Sequence, residues 1–311
     1  MSAGPMLSRP PGPRGADAWL RAMPTVFVLI WSTGFIVARY GMPHAPPFSF
    51  LAVRYALSIA CFSLWIVWAG VAWPRDRWQW IHLGVTGVLM HAVYLGGVWA
   101  AVKAGMGSGL SALVVGLQPV LTAIWLSAVM SPVGGVAVTR RQWVGLILGF
   151  AGLVLVVSRK FEVGGPGDQA NWFNLSCAAV ALLAITAGTL YQKRFVRPCD
   201  VRSANAVQLM AALLVTLPWA GFEQATMDWN HELIGAMAWS VLGLTLGGSS
   251  LLYLLIQRGA AATVSSLMYL VPPTTAVLAW LLFGEPITWT TVAGTALTAI
   301  GVSLVVRAPA R

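Results

Sequence analysis

The sequence predicts an all-α membrane protein whose ten transmembrane helices form two inverted five-helix repeats around a central cavity. Three observations lead to this prediction: the composition, the length of the apolar runs and an internal repeat. Of the 311 residues, 58% are hydrophobic and only 9% are charged, whereas a soluble domain carries roughly 25% charged residues. The composition therefore excludes an ordinary soluble protein and indicates a chain that lies in a lipid bilayer.

Ten apolar runs are long enough to cross the ~30 Å hydrocarbon core of a bilayer. Short connections, such as the one around Gly284 and Glu285, predict antiparallel hairpins between neighbouring runs. The first run continues to Ala38 without a convincing cleavage site, which predicts an uncleaved span rather than a signal peptide. The predicted spans are residues 23–40, 47–72, 79–102, 106–130, 141–158, 171–192, 203–222, 232–256, 262–284 and 289–306.

The distribution of basic residues predicts the orientation of these spans. With the N-terminus in the cytoplasm, 14 Lys and Arg residues lie in cytoplasmic segments, 4 lie in external loops, and Arg54 lies within the second span. Because Lys and Arg favour cytoplasmic loops, both ends of the chain are predicted to face the cytoplasm. The same residues form no stripe or cluster, which argues against nucleic acid as a partner despite the net charge of +10.

The chain contains an internal repeat with a period of 154 residues. In this register Pro119 aligns with Pro273 and, after a five-residue deletion, Gly152 aligns with Gly301. Each copy holds five spans, an odd number, so the second copy is predicted to cross the membrane in the opposite direction. The predicted domains are a disordered tail at 1–22, a first repeat at 23–160, a loop at 161–170, a second repeat at 171–307 and a tail at 308–311.

Prolines interrupt the predicted helices at corresponding places in the two copies. A proline inside a helix removes one backbone hydrogen bond and costs about 3 kcal/mol, yet Pro119 recurs as Pro273 and is joined there by Pro272. The counterpart of Pro272 is Gln118. Inverted repeats with breaks in corresponding positions are typical of secondary transporters whose site lies at the repeat interface. We therefore interpret Pro119, Pro272 and Pro273 as helix breaks that border a binding site and serve gating.

The sequence holds no convincing catalytic or metal-binding pattern. The HELIG segment at His231 lacks the second histidine of a zinc-protease helix, and no Walker A motif occurs for ATP. Cys61, Cys177 and Cys199 have no metal-ligand spacing. We therefore predict no catalytic residue, no metal and no cofactor. Close helix packing is the predicted role of three glycines in span five: Gly145, Gly149 and Gly152.

Two ionisable residues inside spans have roles that the sequence leaves open. Arg54 could bind a substrate carboxylate, or it could pair with a backbone carbonyl and extend toward the membrane surface. His91 could titrate near neutral pH, or it could be a neutral hydrogen-bonding residue of the cavity. No Asp or Glu lies in the middle of a span, so uncoupled movement and proton coupling through His91 or Glu285 both stay open.

The WSTGF segment of span one, at 31–35, and the closing LAWLLFGEPITWTTVAGTALTAIGVSLVV, at 278–306, resemble the EamA group of the drug/metabolite transporter superfamily. The resemblance covers residues 23–307 and is most similar to YddG-type exporters of amino acids and metabolites. It implies a carrier of the bacterial inner membrane that works by alternating access, with spans one, three, four, six, eight and nine around the cavity. The first copy departs from the family ending, since Met130-Ser131 replaces Gly284-Glu285, which puts in doubt any role that needs an acid in both halves.

Polar and aromatic residues fall on one face of each of these six spans, which favours a central cavity over isolated helix–helix hydrogen bonds. A cavity with aromatic rings and hydroxyls but no fixed carboxylate suits zwitterions, whereas sugar phosphates would need a cluster of Lys or Arg. Efflux of cationic or aromatic toxic compounds is the alternative on the same fold. The expected partners are a small-molecule substrate and the lipid bilayer, and the oligomeric state is left open, with a monomer as the expectation. The predicted cavity residues are Trp31, Ser32, His91, Tyr94, Trp99, Ser111, Gln118, Thr186, Thr189, Tyr253, Ser265 and Tyr269.

Overall fold

The computed structural model describes residues 14–122, 125, 140–163, 169–251 and 270–306. Within these ranges the regular structure is helical throughout and contains no strand. We number the helices in chain order: α1 Arg14–Gly41, α2 Pro47–Trp68, α3 Arg77–Lys103, α4 Ser108–Thr122, α5 Arg140–Val163, α6 Trp172–Phe195, α7 Val201–Phe222, α8 His231–Trp239 with its continuation Ser240–Ser249, α9 Val271–Phe283 and α10 Trp289–Val306.

Hydropathy and exposure fit a bundle surrounded by lipid. Four helices, α2, α3, α6 and α7, are long and apolar enough to cross a membrane, and shorter apolar stretches lie in α1, α4, α5, α9 and α10. Large apolar side chains point outward, such as Leu64 at 72% exposure and Leu214 at 71%. The predicted all-α membrane class is confirmed for the described residues, and the count of ten spans stays a prediction.

The boundaries of the helices repeat with the period found in the sequence. Helices α2 and α7 both have 22 residues, and their first residues, Pro47 and Val201, are 154 positions apart. The same shift separates the first residues of α3 and α8. The first residues of α5 and α10 are 149 positions apart, as the five-residue deletion requires. The repeat therefore extends from single motifs to the helices of both halves.

Helices α2 and α7, which are equivalent in the two halves, pack against each other in antiparallel orientation. The rings of Phe48 and Trp219 have centroids 6.0 Å apart, and the Arg202 guanidinium lies over the Trp65 ring at 5.4 Å. In the 154-residue register Phe48 is equivalent to Arg202, and Trp65 is equivalent to Trp219. Each of the two contacts is therefore the counterpart of the other. Reciprocal contacts of this kind indicate a two-fold axis between the halves.

The α5–α10 pair shows the same exchange through glycines. A side chain at Gly152 would collide with the backbone of Gly294, and one at Gly301 would collide with the backbones of Gly145 and Gly149. In the 149-residue register Gly145 is equivalent to Gly294, and Gly152 is equivalent to Gly301. The Gly152–Gly294 contact is therefore the counterpart of the Gly145–Gly301 contact. The predicted role of the span-five glycines, close helix packing, is confirmed.

Helices α3 and α8 hold the inner positions that join the halves. Helix α3 packs against α6 and α7 of the second half, and α8 makes the equivalent contacts with α1 and α2 of the first. Helices α4 and α9 face each other, and they also contact α6 and α1 respectively. Any group on the inner faces of α3 and α8 therefore lies near the two-fold axis.

The loops at the two ends of the bundle differ in charge. We call one end the acidic end, because it holds Glu223, Asp228, Glu232 and Glu285, and the other the basic end, because it holds Arg75, Arg77, Arg194 and Arg197. This separation is the structural counterpart of the basic-residue distribution used above to predict orientation.

Candidate functional site

Two π-helical segments lie at equivalent positions in α3 and α8. They cover Val88–Val93 and Ser240–Ser249, and the 154-residue shift places the whole of the first inside the second. A π turn widens the helix by one residue, and such turns occur frequently at functional sites. The sequence predicted helix breaks at prolines, and these segments contain none. Their irregularity was therefore not predicted.

In α8 the π segment holds the buried guanidinium of Arg54. Thr245 donates its hydroxyl to the Ser240 carbonyl at 2.8 Å and accepts from Arg54 Nε at 3.2 Å and Nη2 at 3.1 Å. Arg54 is 6% exposed and Thr245 is 2% exposed. Arg54 thus ties α2 to α8 inside the bundle, and it neither bonds to a carbonyl in this contact nor extends toward the membrane surface.

In α3 the π segment is met by residues of α2 and α7. The His91 carbonyl accepts a hydrogen bond from the Tyr55 hydroxyl at 2.8 Å, and the two rings meet edge to face at 6.2 Å. Gln208 of α7 lies against the same part of α3, since a Cβ at Gly87 would collide with its backbone, and its side chain lies beside the His91 imidazole. Tyr94 is buried at the end of the same segment, and both Tyr94 and His91 lie near Arg54. Two predicted cavity residues are thus brought together with the buried cation.

These contacts form one group across the two-fold axis. Gln208 is the counterpart of Arg54, and Thr245 is the counterpart of His91, under the 154-residue shift. The Arg54–Thr245 and Gln208–His91 contacts are therefore equivalent, one from each half. Sequence reasoning missed Gln208 and Thr245, although applying the shift to Arg54 and His91 would have identified both. We call the group the central polar cluster, which consists of Arg54, Tyr55, His91, Tyr94, Gln208 and Thr245.

Two further predicted cavity residues meet between α4 and α6. Gln118 Nε2 donates to Thr189 Oγ1 at 2.9 Å, and Thr189 donates in turn to the Ile185 carbonyl of its own helix at 2.7 Å. Helix α4 is interrupted by a turn at Gly116 and Leu117, directly before this pair and two residues before Pro119. The interruption and the polar pair thus lie together.

The double proline lies where a helix begins. Pro272 and Pro273 occupy the first turn of α9, which starts at Val271. The missing N–H of a proline costs little there, because the first N–H groups of a helix have no partner within it. Pro272 packs against α4, since a Cβ at Gly116 would lie 2.9 Å from the proline ring.

The small predicted cavity residues are packed among helices. Ser32 and Thr186 each donate to a carbonyl of their own helix at 2.7 Å. The Ser32 carbonyl also accepts from Thr275 of α9 at 3.2 Å. The buried Ser111 hydroxyl has no hydrogen-bond partner in the part of the chain that the structure describes. A polar face is therefore present on α1, α4 and α6, but it is closed by neighbouring helices.

The two predicted cavity tryptophans, Trp99 and Trp31, are also packed against neighbouring side chains. Trp99 is 1% exposed and stacks on Phe50 at 4.3 Å in the apolar core, while Trp31 is half-buried against Phe27. The central cavity stays a prediction that requires these helices to separate. Three predicted cavity residues lie outside the described ranges: Tyr253, Ser265 and Tyr269.

Two carboxylates at the acidic end cap helices of the first half. Glu223 accepts from the Phe48 and Ser49 amides at 3.0 and 2.7 Å. Glu285, which is 7% exposed, accepts from the Ser108 amide at 3.0 Å and from the Gly109 amide at 3.5 Å. Carboxylates are favoured at helix N-termini because unpaired N–H groups carry partial positive charge there. Glu285 therefore has a structural function at the start of α4.

We expect Glu285→Ala to lower the free energy of unfolding by about 1–2 kcal/mol, because α4 loses a buried charged cap. Glu285→Gln should lose about half as much, since its amide oxygen can still accept one bond. The measurement is thermal unfolding of the purified protein in detergent. Glu232→Ala at the same end is the control, because its half-exposed carboxylate pairs with His44 and such pairs contribute about 0–1 kcal/mol. Equal losses for Glu285→Ala and Glu232→Ala would contradict the capping role.

Known proteins resemble this chain along most of its length. An uncharacterized transporter of Archaeoglobus fulgidus is 23% identical over 282 residues, which cover 90% of this chain and 96% of that protein. The uncharacterized inner membrane transporter YedA of Escherichia coli is 23% identical over 260 residues, with coverage of 83% and 80%. A probable amino-acid metabolite efflux pump of Salmonella typhimurium is 22% identical over 284 residues, with coverage of 88% and 90%.

A solved crystal structure and a family model agree with this picture. The crystal structure matches with a TM-score of 0.65 at 19% identity, covering 93% of this chain and 97% of the other, which shows a shared fold. The model of the EamA-like transporter family matches twice, at residues 23–158 and 172–307. The two matches coincide with the two halves related by the two-fold axis. The chain therefore belongs to the EamA-like transporter family.

Proposed function

We propose that this chain is a secondary transporter that exports amino acids and related small metabolites across the bacterial inner membrane by alternating access. The observation that carries the proposal is the central polar cluster, which joins equivalent positions of the two halves at the π segments of α3 and α8. Its cation, imidazole, amide and hydroxyls suit the carboxylate and ammonium of a zwitterion. The Salmonella typhimurium relative, a probable amino-acid metabolite efflux pump, supports the same substrate class.

The finer architecture belongs to the same proposal. Ten spans form inverted repeats at 23–160 and 171–307, joined by the loop at 161–170 and flanked by tails at 1–22 and 308–311. The antiparallel α2–α7 and α5–α10 pairs support the inversion. The acidic end faces the periplasm, and the basic end faces the cytoplasm together with both termini. Each monomer would open the cluster to one side and then to the other as the two halves exchange conformations.

Counterflow in proteoliposomes tests the proposal. Vesicles holding the purified protein are loaded with unlabelled threonine, methionine or tryptophan, and uptake of the same labelled amino acid is followed at two pH values. We expect saturable uptake that depends on the internal amino acid and exceeds that of empty vesicles. A difference between the two pH values would indicate proton coupling. The absence of saturable uptake across a broad amino-acid panel would remove the proposal.

Efflux of cationic toxic compounds is the competing function on the same fold. The buried Arg54 disfavours it, since a like charge brought to the cluster would be repelled in a medium of low dielectric constant. Resistance of cells that overproduce the protein to cationic and neutral aromatic compounds distinguishes the two functions. Resistance to the cationic compounds without amino-acid counterflow would favour the alternative.

A further inference from the structure

The central polar cluster contains a cation, Arg54, whose contacts with other described residues are all neutral. Two of the five N–H donors of Arg54 go to the Thr245 hydroxyl, and the residue is 6% exposed. All nine acidic residues of the sequence lie in loops or near the ends of the predicted spans, so none lies at the depth of Arg54. Burying an ionised group without a counterion is costly, and an anion that pairs with it offsets that cost. The site is therefore suited to an anion that the chain itself does not supply there.

The second half shows that packing at this position does not need a charge. Gln208 occupies the place equivalent to Arg54, and it makes the equivalent contact, with His91, through a neutral amide. The two halves share the helix geometry, the π segments and the register. A positive charge in only one of two equivalent contacts is thus not explained by the architecture. It is explained if the charge binds something else.

We propose that the Arg54 guanidinium is the carboxylate-binding group of the transport site, so that the carrier accepts ligands with a carboxylate and rejects their amides and amines. The guanidinium fork matches a carboxylate in bidentate geometry, and within the described residues three of its N–H donors make no hydrogen bond beyond the two to Thr245. Tyr55, the chain neighbour of Arg54, contacts His91, so the fork lies beside the predicted cavity face of α3 that holds His91 and Tyr94. The inference rests on the proposed function and names the chemical group that its site selects.

Thermal unfolding of the purified protein with matched ligands tests the inference. The probes are tryptophan and indole-3-propionate, which carry a carboxylate, and tryptophanamide and tryptamine, which do not. Methionine and methioninamide form a second pair. We expect stabilisation by at least one of the carboxylate ligands and none by its amide or amine. Stabilisation by amide and acid alike, or by none of the carboxylate ligands, would overturn the inference.

Variants of the cluster separate binding from folding. Arg54→Gln should weaken binding of the carboxylate ligand roughly 30-fold or more, because a buried charge-assisted pair is lost. Removal of an arginine charge outside the cluster should leave the affinity within about threefold of wild type. Arg77→Gln, at the basic end, is the matched arginine control. If Arg54→Gln does not fold, the comparison of acid and amide ligands on the wild type and on Arg77→Gln decides. Undiminished binding by folded Arg54→Gln would overturn the inference.

Counterflow separates this inference from the proposed function. Saturable amino-acid counterflow with no discrimination between acids and amides would leave the function standing and remove the carboxylate role of Arg54. Selective binding of carboxylates without any amino-acid counterflow would give the opposite result. It would support the carboxylate-binding role of Arg54 and contradict amino-acid export.

Discussion

Gly87→Ala is expected to be among the most damaging single substitutions in this chain. Gly87 ends the α-helical part of α3, directly before the π segment, and a Cβ there would collide with the backbone of Gln208. Since backbone cannot move aside as a side chain can, α3 must shift away from α7. Overpacking of this kind costs about 1–3 kcal/mol or more. We expect the midpoint of thermal unfolding to fall by about 5 °C and counterflow to fall by roughly tenfold, because the Gln208–His91 contact moves as well.

Gly84→Ala is the matched control on the same helix and against the same neighbour. A Cβ at Gly84 would lie 3.6 Å from the Cβ of Ala211, which is ordinary van der Waals contact. Alanine also favours a helix over glycine by about 1 kcal/mol, so this variant should be unchanged or slightly stabilised. Equal behaviour of the two variants would show that α3 and α7 do not approach each other as described.

The Gln118–Thr189 pair is expected to have a large effect on transport. Thr189→Val removes the acceptor of the Gln118 amide and leaves a partly buried donor unpaired, which costs about 1–3 kcal/mol. In Gln118→Leu, Thr189 still donates to the Ile185 carbonyl, so stability should change less. We expect each variant to lower counterflow about tenfold, because both side chains lie on predicted cavity faces.

A double-mutant cycle decides whether the two residues act together. The double variant should be no more than about threefold slower than either single variant, since both changes remove the same contact. Ser176→Ala, which removes an exposed hydroxyl bonded to its own helix in α6, should leave counterflow unchanged. Fully additive losses of counterflow would show that Gln118 and Thr189 contribute to transport independently and not through their contact.

The fold was largely predictable because lipid allows few solutions. A long apolar run satisfies its backbone in hydrocarbon only as a helix, so composition and run length predict the class. The 154-residue register, read from residues such as Pro119 and Pro273, anticipated the equivalence of α2 with α7 and of α3 with α8. Only the helix boundaries and the reciprocal contacts, such as Phe48 with Trp219 and Trp65 with Arg202, reveal the two-fold axis.

The site was less predictable because its members are defined by tertiary contacts. Thr245 and Gln208 resemble any polar residue in a span, and only their partners Arg54 and His91 distinguish them. The π segments have no proline to indicate them. Periodicity also could not separate Trp99, which stacks in the core, from a residue facing a cavity, because both positions are hidden from lipid.

The proline cost illustrates the limit of local reasoning. A penalty of about 3 kcal/mol applies to the interior of a helix, and the sequence placed Pro272 and Pro273 near the middle of a span. The structure begins α9 at Val271, so both prolines lie in a first turn where the penalty is largely avoided. The start of a helix inside an apolar run cannot be seen from hydropathy alone.

The central claim is that the cluster between the two halves lies on the transport path and opens to each side in turn. Its most direct test is the reactivity of Thr245→Cys, in a chain whose three native cysteines are replaced, toward a membrane-impermeant thiosulfonate. As controls, Asp228→Cys at the acidic end and Arg75→Cys at the basic end should react only from the periplasmic and only from the cytoplasmic face, respectively. We expect Thr245→Cys to react from both faces, and a transported amino acid to slow both reactions. Reaction from one face only, or rates that the amino acid leaves unchanged, would contradict the account.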